Sequence, residues 1–254
     1  MLDNGSFRVA IVRDRMQPTA MLLAGLTPAE REYADLFPTD GRRRHFALGR
    51  LAAHLAIQRV LGDKARSLVI QVLSGQEGQP LTCVNEEHDL ISVSVSHSGC
   101  LGVACAWLNS RSEDYFIGVD LERQRPTEVA QSQYAFSRRE RNLLSHTLED
   151  PTLAGLAAWT VKEAVWKALR ADRRTGPEAI KINALSLAVG HATVRVNHRL
   201  RCKLGKSLLR VQVRTLDGPD GAYILSIAEV ASRKSLWRLP CMPAIECITD
   251  EVRI

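Results

Sequence analysis

The chain has 254 residues, enough for one large domain or two small ones around a substantial core, and its 45% apolar and 24% charged composition is that of an ordinary soluble globular protein. No apolar run approaches the roughly 20 residues that span a bilayer, and the opening MLDNGSFRVAIVRDR lacks the apolar core of a signal peptide, so no membrane partner and a cytoplasmic location are expected. A formal charge of +6 with a pI near 9.2 calls for an anionic partner without choosing between nucleic acid, a nucleotide and an acidic protein surface, although basic clusters without aromatic residues weaken the single-stranded nucleic-acid option.

In chain order, FRVAIVR (7–13) predicts a strand, and Thr27-Pro28-Ala29-Glu30 is a capping-box start for a helix to about Phe37. Arg42 to Leu61 follows as a long amphipathic helix closed by Gly62. SLVIQVL (67–73), ISVSV (91–95) and LGVACAWL (101–108) are predicted strands between Gly- and Ser-containing turns. IGVDLE (117–122) then opens a similar succession. Ser137-Arg138-Arg139-Glu140 is a second capping box, leading a helix through about His146, and Thr152 to Ala171 is a long apolar helix ending before Gly176-Pro177. ALSLAVG (184–190), ATVRVN (192–197), SLLRVQVRTL (207–216) and AYILSIAEV (222–230) predict antiparallel strands, with a strong turn at Asp217-Gly218-Pro219-Asp220-Gly221.

This order implies an α+β fold of two similar halves, residues 1–112 and 113–230, joined by the polar stretch Asn109–Asp114 and followed by a tail, 231–254, of mixed polarity. The repetition is one of architecture, with no clear residue-by-residue repeat. The six cysteines (83, 100, 105, 202, 241 and 247) show no CxxC and no metal-spaced histidine pair; they are expected to be buried, reduced thiols, with Cys100 and Cys105 in the core.

The chemistry concentrates in two stretches. In IGVDLE the strand alternation puts Asp120 and Glu122 on one face behind the small Gly118, with Val119 and Leu121 on the other. WTVKEAVWK (159–167) puts Lys162, Glu163 and Lys167 on a helix that is otherwise apolar from Leu153 to Leu169, so its only charges are expected at the rim of a buried surface. Each piece has an ordinary explanation: D-x-E is common on a solvated edge strand, and Glu163 with Lys167 is an i,i+4 ion pair. Together, two same-face carboxylates and a third from a neighbouring helix suit a hard divalent cation such as Mg²⁺, and flanking lysines suit phosphate oxygens, which reads as a phosphoryl-transfer site. Ser96 and His97 end an alternating strand before Gly99, where a hydroxyl and an imidazole can contact phosphate or serve structure alone. RRRHFALGR (42–50) places Arg42, Arg43 and Arg50 on a helix start that favours an anion, or on a solvated basic face.

In this order the motifs resemble the 4′-phosphopantetheinyl transferases, specifically the two-lobed type that activates siderophore, peptide and polyketide synthetases. The matching residues are Gly49-Arg50, Ser96-His97, Gly118-Val119-Asp120-x-Glu122, Phe136-Ser137-x-x-Glu140 and Trp159-x-x-Lys162-Glu163-Ala164-x-x-Lys167, spread over about 40–170. The resemblance implies two pseudo-symmetric α+β halves, each a small, mainly antiparallel sheet packed with helices, with the cofactor in the cleft between them. It implies coenzyme A as a substrate and an apo acyl or peptidyl carrier protein as partner, with no nucleic acid bound; since two complementary halves of one chain can form the cleft without a second subunit, a monomer is expected.

Residue by residue, the resemblance implies Asp120, Glu122 and Glu163 as Mg²⁺ ligands. It implies Ser96, His97, Arg42, Arg43 and Arg50 at the 3′-phosphate end, Lys162 and Lys167 beside the pyrophosphate, and Glu163, Lys167 and Asp120 as the catalytic set. Two positions depart from the family: the turn Gly78-Gln79-Pro80 lacks the lysine often found there, and His54 replaces a frequent basic residue a turn after Gly49-Arg50. The competing readings are a Mg²⁺-dependent nuclease, which also uses clustered acids and a lysine, and a basic nucleic-acid-binding module, which has no use for Asp120 or Glu122.

Overall fold

The structure, a computed structural model, describes residues 7–88, 90–109, 115–124, 135–147, 150–172, 174–205 and 207–231. The expected joint past Asn109 and the tail past Ala231, with Cys241 and Cys247, lie outside the described residues. Those described form two compact units, one up to Asn109 and the other from Tyr115. No described helix is long and apolar enough to cross a membrane.

In the first unit β1 (Arg8–Arg13) pairs antiparallel with β6 (Leu101–Leu108), which pairs with β5 (Ile91–Ser98). Between β1 and the rest lie α1 (Thr19–Ala24), α2 (Pro28–Asp35) and α3 (Asp40–Leu61). A second small sheet follows, made of β2 (Ile70–Ser74), β3 (Pro80–Val84) and β4 (Glu87–His88). α2 starts at the expected capping box, and α3 is capped by the Thr39 side chain and ended by Gly62 at φ 61°, a left-handed conformation that suits glycine. The alanines of α3 (Ala52, Ala53 and Ala56) pack with Ala10, Ala104 and Ala106 of the sheet, because small side chains on both sides let helix and strand backbones approach.

The second unit contains one five-stranded antiparallel sheet in the order β7-β11-β10-β9-β8. Its strands are β7 (Phe116–Arg123), β8 (Ile180–Ser186), β9 (His191–Val196), β10 (Leu208–Gly218) and β11 (Gly221–Ala231). Its helices are α4 (Arg138–Thr147), α5 (Pro151–Ala168) and α6 (His198–Leu204). Asp150 caps α5, accepting from the N–H groups of Thr152 and Leu153, and Pro151 occupies the first turn, where its missing N–H costs nothing. Residues Ala157, Val161, Ala164 and Val165 of α5 are fully buried in one core with Ile224 and Ala228 of β11. Gly218 faces Gly221 across the β10–β11 hairpin, so Pro219-Asp220 is its two-residue loop, at the turn the sequence predicts.

Apart from α1 and β4 in the first unit and α6 in the second, both units run strand, two helices, then strands, and the likeness extends to single residues, which the sequence reading did not anticipate. Glu30 closes the capping box of α2: its Oε2 accepts from the Thr27 N–H at 2.9 Å, while its Oε1 accepts from the Val72 N–H of β2 at 2.8 Å and meets His54 Nε2 of α3 at 2.7 Å. Glu140 does the same in α4: Oε2 accepts from the Ser137 N–H at 2.8 Å, and Oε1 accepts from the Ile182 N–H of β8 at 3.0 Å and pairs with Lys162 Nζ of α5 at 2.8 Å. In both cases the strand that donates lies 42 residues on. Each carboxylate is fully buried and ties a helix start, a long helix and a strand together. A capping-box glutamate is visible in sequence; its second oxygen's distant partners are not.

Several boundaries differ from expectation. β5 runs to Ser98, so His97 lies inside the strand, where it continues to alternate; β8 starts at Ile180, because Pro177–Ala179 forms only a single 3₁₀ turn. α1, α6, β3 and β4 are additional elements, and α5 stops at Ala168. The described cysteines form no disulfide, but only Cys105 is fully buried, where burial pushes its thiol pKa far up; Cys83 and Cys100 are half-buried and Cys202 is exposed on α6. Cys100 sits in the β5–β6 turn, not in the core.

Candidate functional site

In the second unit the site grows out of one close approach. Alternation along β7 puts Gly118, Asp120 and Glu122 on the face whose β11 neighbours, Ala228, Ser226 and Ile224, lie beneath α5. A Cβ on Gly118 would stand 1.9 Å from the Ala164 carbonyl oxygen and 2.4 Å from the Ala168 nitrogen. Only glycine allows the helix backbone to rest on the strand there, and that contact lowers Glu163 and Lys167 to the level of Asp120. A buried hydroxyl pair, Thr160 Oγ1 and Ser226 Oγ at 2.7 Å, pins α5 one turn earlier.

Lys167 Nζ donates to Asp120 Oδ1 at 2.7 Å and to the Val119 carbonyl at 3.0 Å. Asp120 is buried, while Glu122, Glu163 and Lys167 are half-buried, so the group faces solvent from a largely dry floor. Burial, and then the neighbouring Asp120 charge, push the Glu163 carboxyl above the ordinary range, with Lys167 pulling it back. A carboxylate with a raised pKa can accept a proton from a hydroxyl, and the lysine ammonium beside it can hold an anion.

Lys162 does not lie at the rim. It is fully buried, donates to the Ala135 carbonyl at 2.7 Å, pairs with Glu140 and stands 4.9 Å from the centre of the Phe136 ring. Neighbouring helix residues diverge by about 100°, so Lys162 points towards α4 while Glu163 points towards β7. The counter-charge that brings it inside is Glu140, part of the Phe-Ser-x-x-Glu run.

The first unit brings His97 together with a residue the sequence reading passed over, His45, while alternation turns Ser96 to the other face of β5. The His45 and His97 rings lie 5.1 Å apart at 31°, because Gly49, one helical turn from His45, brings α3 onto β5; a Cβ there would stand 3.0 Å from Val95 Cγ1 and 3.5 Å from His97 Cδ2. The i,i+4 spacing of His45 and Gly49 was the available signal. Ser96 is buried and His97 exposed. The arginines separate: Arg42 is exposed, and half-buried Arg43 donates to the Phe37 carbonyl at 3.0 Å. Arg50 is buried, with Nη2 on Ser74 Oγ at 2.7 Å and its guanidinium over Phe46, so it engages β2. Burial lowers its pKa from the ordinary arginine value. His54 finds its partner in Glu30.

Among the described residues no three His, Cys, Asp or Glu side chains stand close enough together to hold a metal ion as they are oriented. The chemistry of the donor set is compatible with Mg²⁺: Asp120, Glu122 and Glu163 offer hard carboxylate oxygens, and a divalent cation there would relieve the repulsion that Asp120 exerts on Glu163.

Residues 116–228 match the family model of the 4′-phosphopantetheinyl transferase superfamily, a segment that carries Asp120, Glu122, Glu140, Glu163 and Lys167 and amounts to less than half of the chain. No curated protein matches the chain. Two similar solved structures are the holo-[acyl-carrier-protein] synthase of Thermotoga maritima and the apo-ACPS of Chronobacterium ammoiniagenes. The first is 22% identical over 45% of this chain and 68% of that one, with a TM-score of 0.36. The second is 23% identical over 48% of this chain and 99% of that one, with a TM-score of 0.33.

Proposed function

We propose that this protein transfers the 4′-phosphopantetheine group of coenzyme A to a serine hydroxyl of an apo acyl or peptidyl carrier protein, releasing 3′,5′-ADP. The observation that carries the reading is the Asp120, Glu163 and Lys167 group beneath the Gly118 contact, inside the segment that matches the transferase family model. In the reaction the serine oxygen forms a bond to the β-phosphorus, the bond from that phosphorus to the bridging oxygen breaks, and the serine proton moves to Glu163. Lys167 sets a positive charge beside the leaving phosphate, and its hydrogen bonds to the Val119 carbonyl and Asp120 keep its ammonium against β7. Asp120, Glu122 and Glu163 would hold Mg²⁺, which when bound would neutralise charge at the pyrophosphate. Lys162 serves the site from inside, by holding α5 against α4.

In this reading Ser96, His97, Arg42 and Arg43, with His45 beside His97, receive the nucleotide end of coenzyme A. The two units are the two halves of a transferase that works as a monomer in the cytoplasm. The test is mass spectrometry of candidate apo-carriers after incubation with coenzyme A and Mg²⁺. A phosphopantetheine mass gain on at least one of them is expected; no gain on any, or plasmid nicking with Mg²⁺ in the absence of coenzyme A, would overturn the assignment.

A further inference from the structure

The second unit has a groove that the proposed chemistry does not use. β9 and β10 pair only at Ala192–Val211 and His191–Gln212, and towards Val196 and Leu208 they diverge, with α6 at the mouth of the fork. The fork encloses about 740 Å³. Its walls are Val194 and Val196 of β9, Leu204 of α6 and Leu209 of β10, all half-buried, while Leu208 is left 44% exposed. Arg195 and Arg201 line the same groove, are exposed, and form no ion pair among the described residues. α6 contains no acid, and with Arg199 paired to Asp172 it still leaves Arg201 and Lys203 to add positive charge beside the groove.

An aliphatic floor between exposed guanidiniums is complementary to a protein segment that combines aliphatic side chains with carboxylates. A nucleic-acid strand fits less well, since no aromatic side chain lines the groove for bases to stack on. The groove is also tied to the catalytic helix. Lys203 Nζ of α6 donates to the Arg170 carbonyl at 2.9 Å, and Arg199 pairs with Asp172 at 2.5 Å; both acceptors lie just after α5, within five residues of Lys167. We infer that the β9–β10 fork docks an acidic, aliphatic segment of the carrier protein, apart from the serine that is modified. This inference rests on the transferase reading for the identity of the partner.

The test uses the full chain and its Arg195→Glu/Arg201→Glu variant, with thermal melting as the control for folding. Fluorescence anisotropy measures binding of a labelled apo-carrier and, in parallel, of a labelled 20-mer DNA, and steady-state transfer gives KM for carrier and for coenzyme A. The expected result is at least a tenfold weaker carrier affinity and a matching rise in carrier KM, with kcat and the coenzyme A KM unchanged. Leu208→Asp should weaken carrier binding in the same direction. Unaltered carrier affinity and KM in a variant that still catalyses transfer would overturn the docking site and leave the transferase intact. A loss confined to DNA binding would overturn it in favour of a nucleic-acid groove. Absence of carrier binding and transfer by the wild-type protein would overturn the transferase reading, and the docking assignment with it.

Discussion

The buried pair of Glu140 and Lys162 makes the sharpest quantitative claim on this molecule. Lys162→Met removes the ammonium 2.8 Å from Oε1 and leaves a buried carboxylate holding three hydrogen bonds, from the Ser137 N–H at 2.8 Å, the Ser137 hydroxyl at 2.7 Å and the Ile182 N–H at 3.0 Å. Breaking a buried pair by removing one partner costs about 3–5 kcal/mol, and the surviving hydrogen bonds place this case near 3 kcal/mol. Glu140→Gln leaves Lys162 with the Ala135 carbonyl and should cost about as much. The double variant contains no uncompensated charge, and its total cost should fall to roughly 1–2 kcal/mol, far below the sum of the singles. Urea unfolding checks this, followed by tryptophan fluorescence, to which Trp159 and Trp166 of α5 contribute, and by circular dichroism, with each unit's transition fitted separately. Additivity of the two substitutions within about 0.5 kcal/mol, or a cost below about 1 kcal/mol for Lys162→Met, would refute the reasoning. The same pair fixes an acid response. Burial alone would raise the Glu140 pKa, but the Lys162 and Ser137 hydrogen bonds outweigh it and hold the carboxyl at about 2. Because the folded value lies below the unfolded one, the stabilisation is complete above about pH 5 and is lost as the pH falls towards 2. In Glu140→Gln that acid-dependent loss from the second unit should shrink.

Three further outcomes concern the site. Glu163→Gln should lower carrier modification by at least ~10²-fold with an unchanged melting temperature, and near-normal transfer would remove Glu163 as the base. Gly118→Ala must push α5 off β7, since its Cβ would meet the Ala164 oxygen at 1.9 Å; a loss of about 3 kcal/mol and of most activity is expected, and a variant of wild-type stability would show that the helix does not rest on the strand. His45→Ala should raise the coenzyme A KM about tenfold with kcat retained, as expected for lost uniform binding, whereas an unchanged KM would detach His45 from the nucleotide end.

Much of this was legible in the chain because local signals and tertiary structure agree. β6 coincides with LGVACAWL, α3 ends at Gly62 as its left-handed closure requires, and both capping boxes start helices. What escaped the sequence was direction. Lys162 and Glu163 are adjacent on an almost wholly apolar helix, and nothing in that segment tells which of them meets a buried counter-charge; only Glu140, 22 residues earlier, decides it. The arginine cluster divides for a related reason, since Arg50 follows Phe46 by one turn and is drawn over its ring and onto Ser74, while Arg42 stays exposed. α6 was missed although Asn197 accepts from the Leu200 N–H as an N-cap, because a basic seven-residue helix has no apolar period to show. The strand pair Asp120 and Glu122 was readable because alternation alone puts both on one face.

The two buried glutamates also set an order for folding. Each closes its capping box over three residues, a local step, yet its other oxygen waits for a strand 42 residues further along. Until Val72 or Ile182 arrives, that oxygen has only its long-helix partner, His54 or Lys162, and its remaining acceptor site stays hydrated, so the core beside it cannot dry out. The helices are therefore free to form early, while water leaves each unit only when the last of the three tethered elements docks, which makes that docking the cooperative event in both halves.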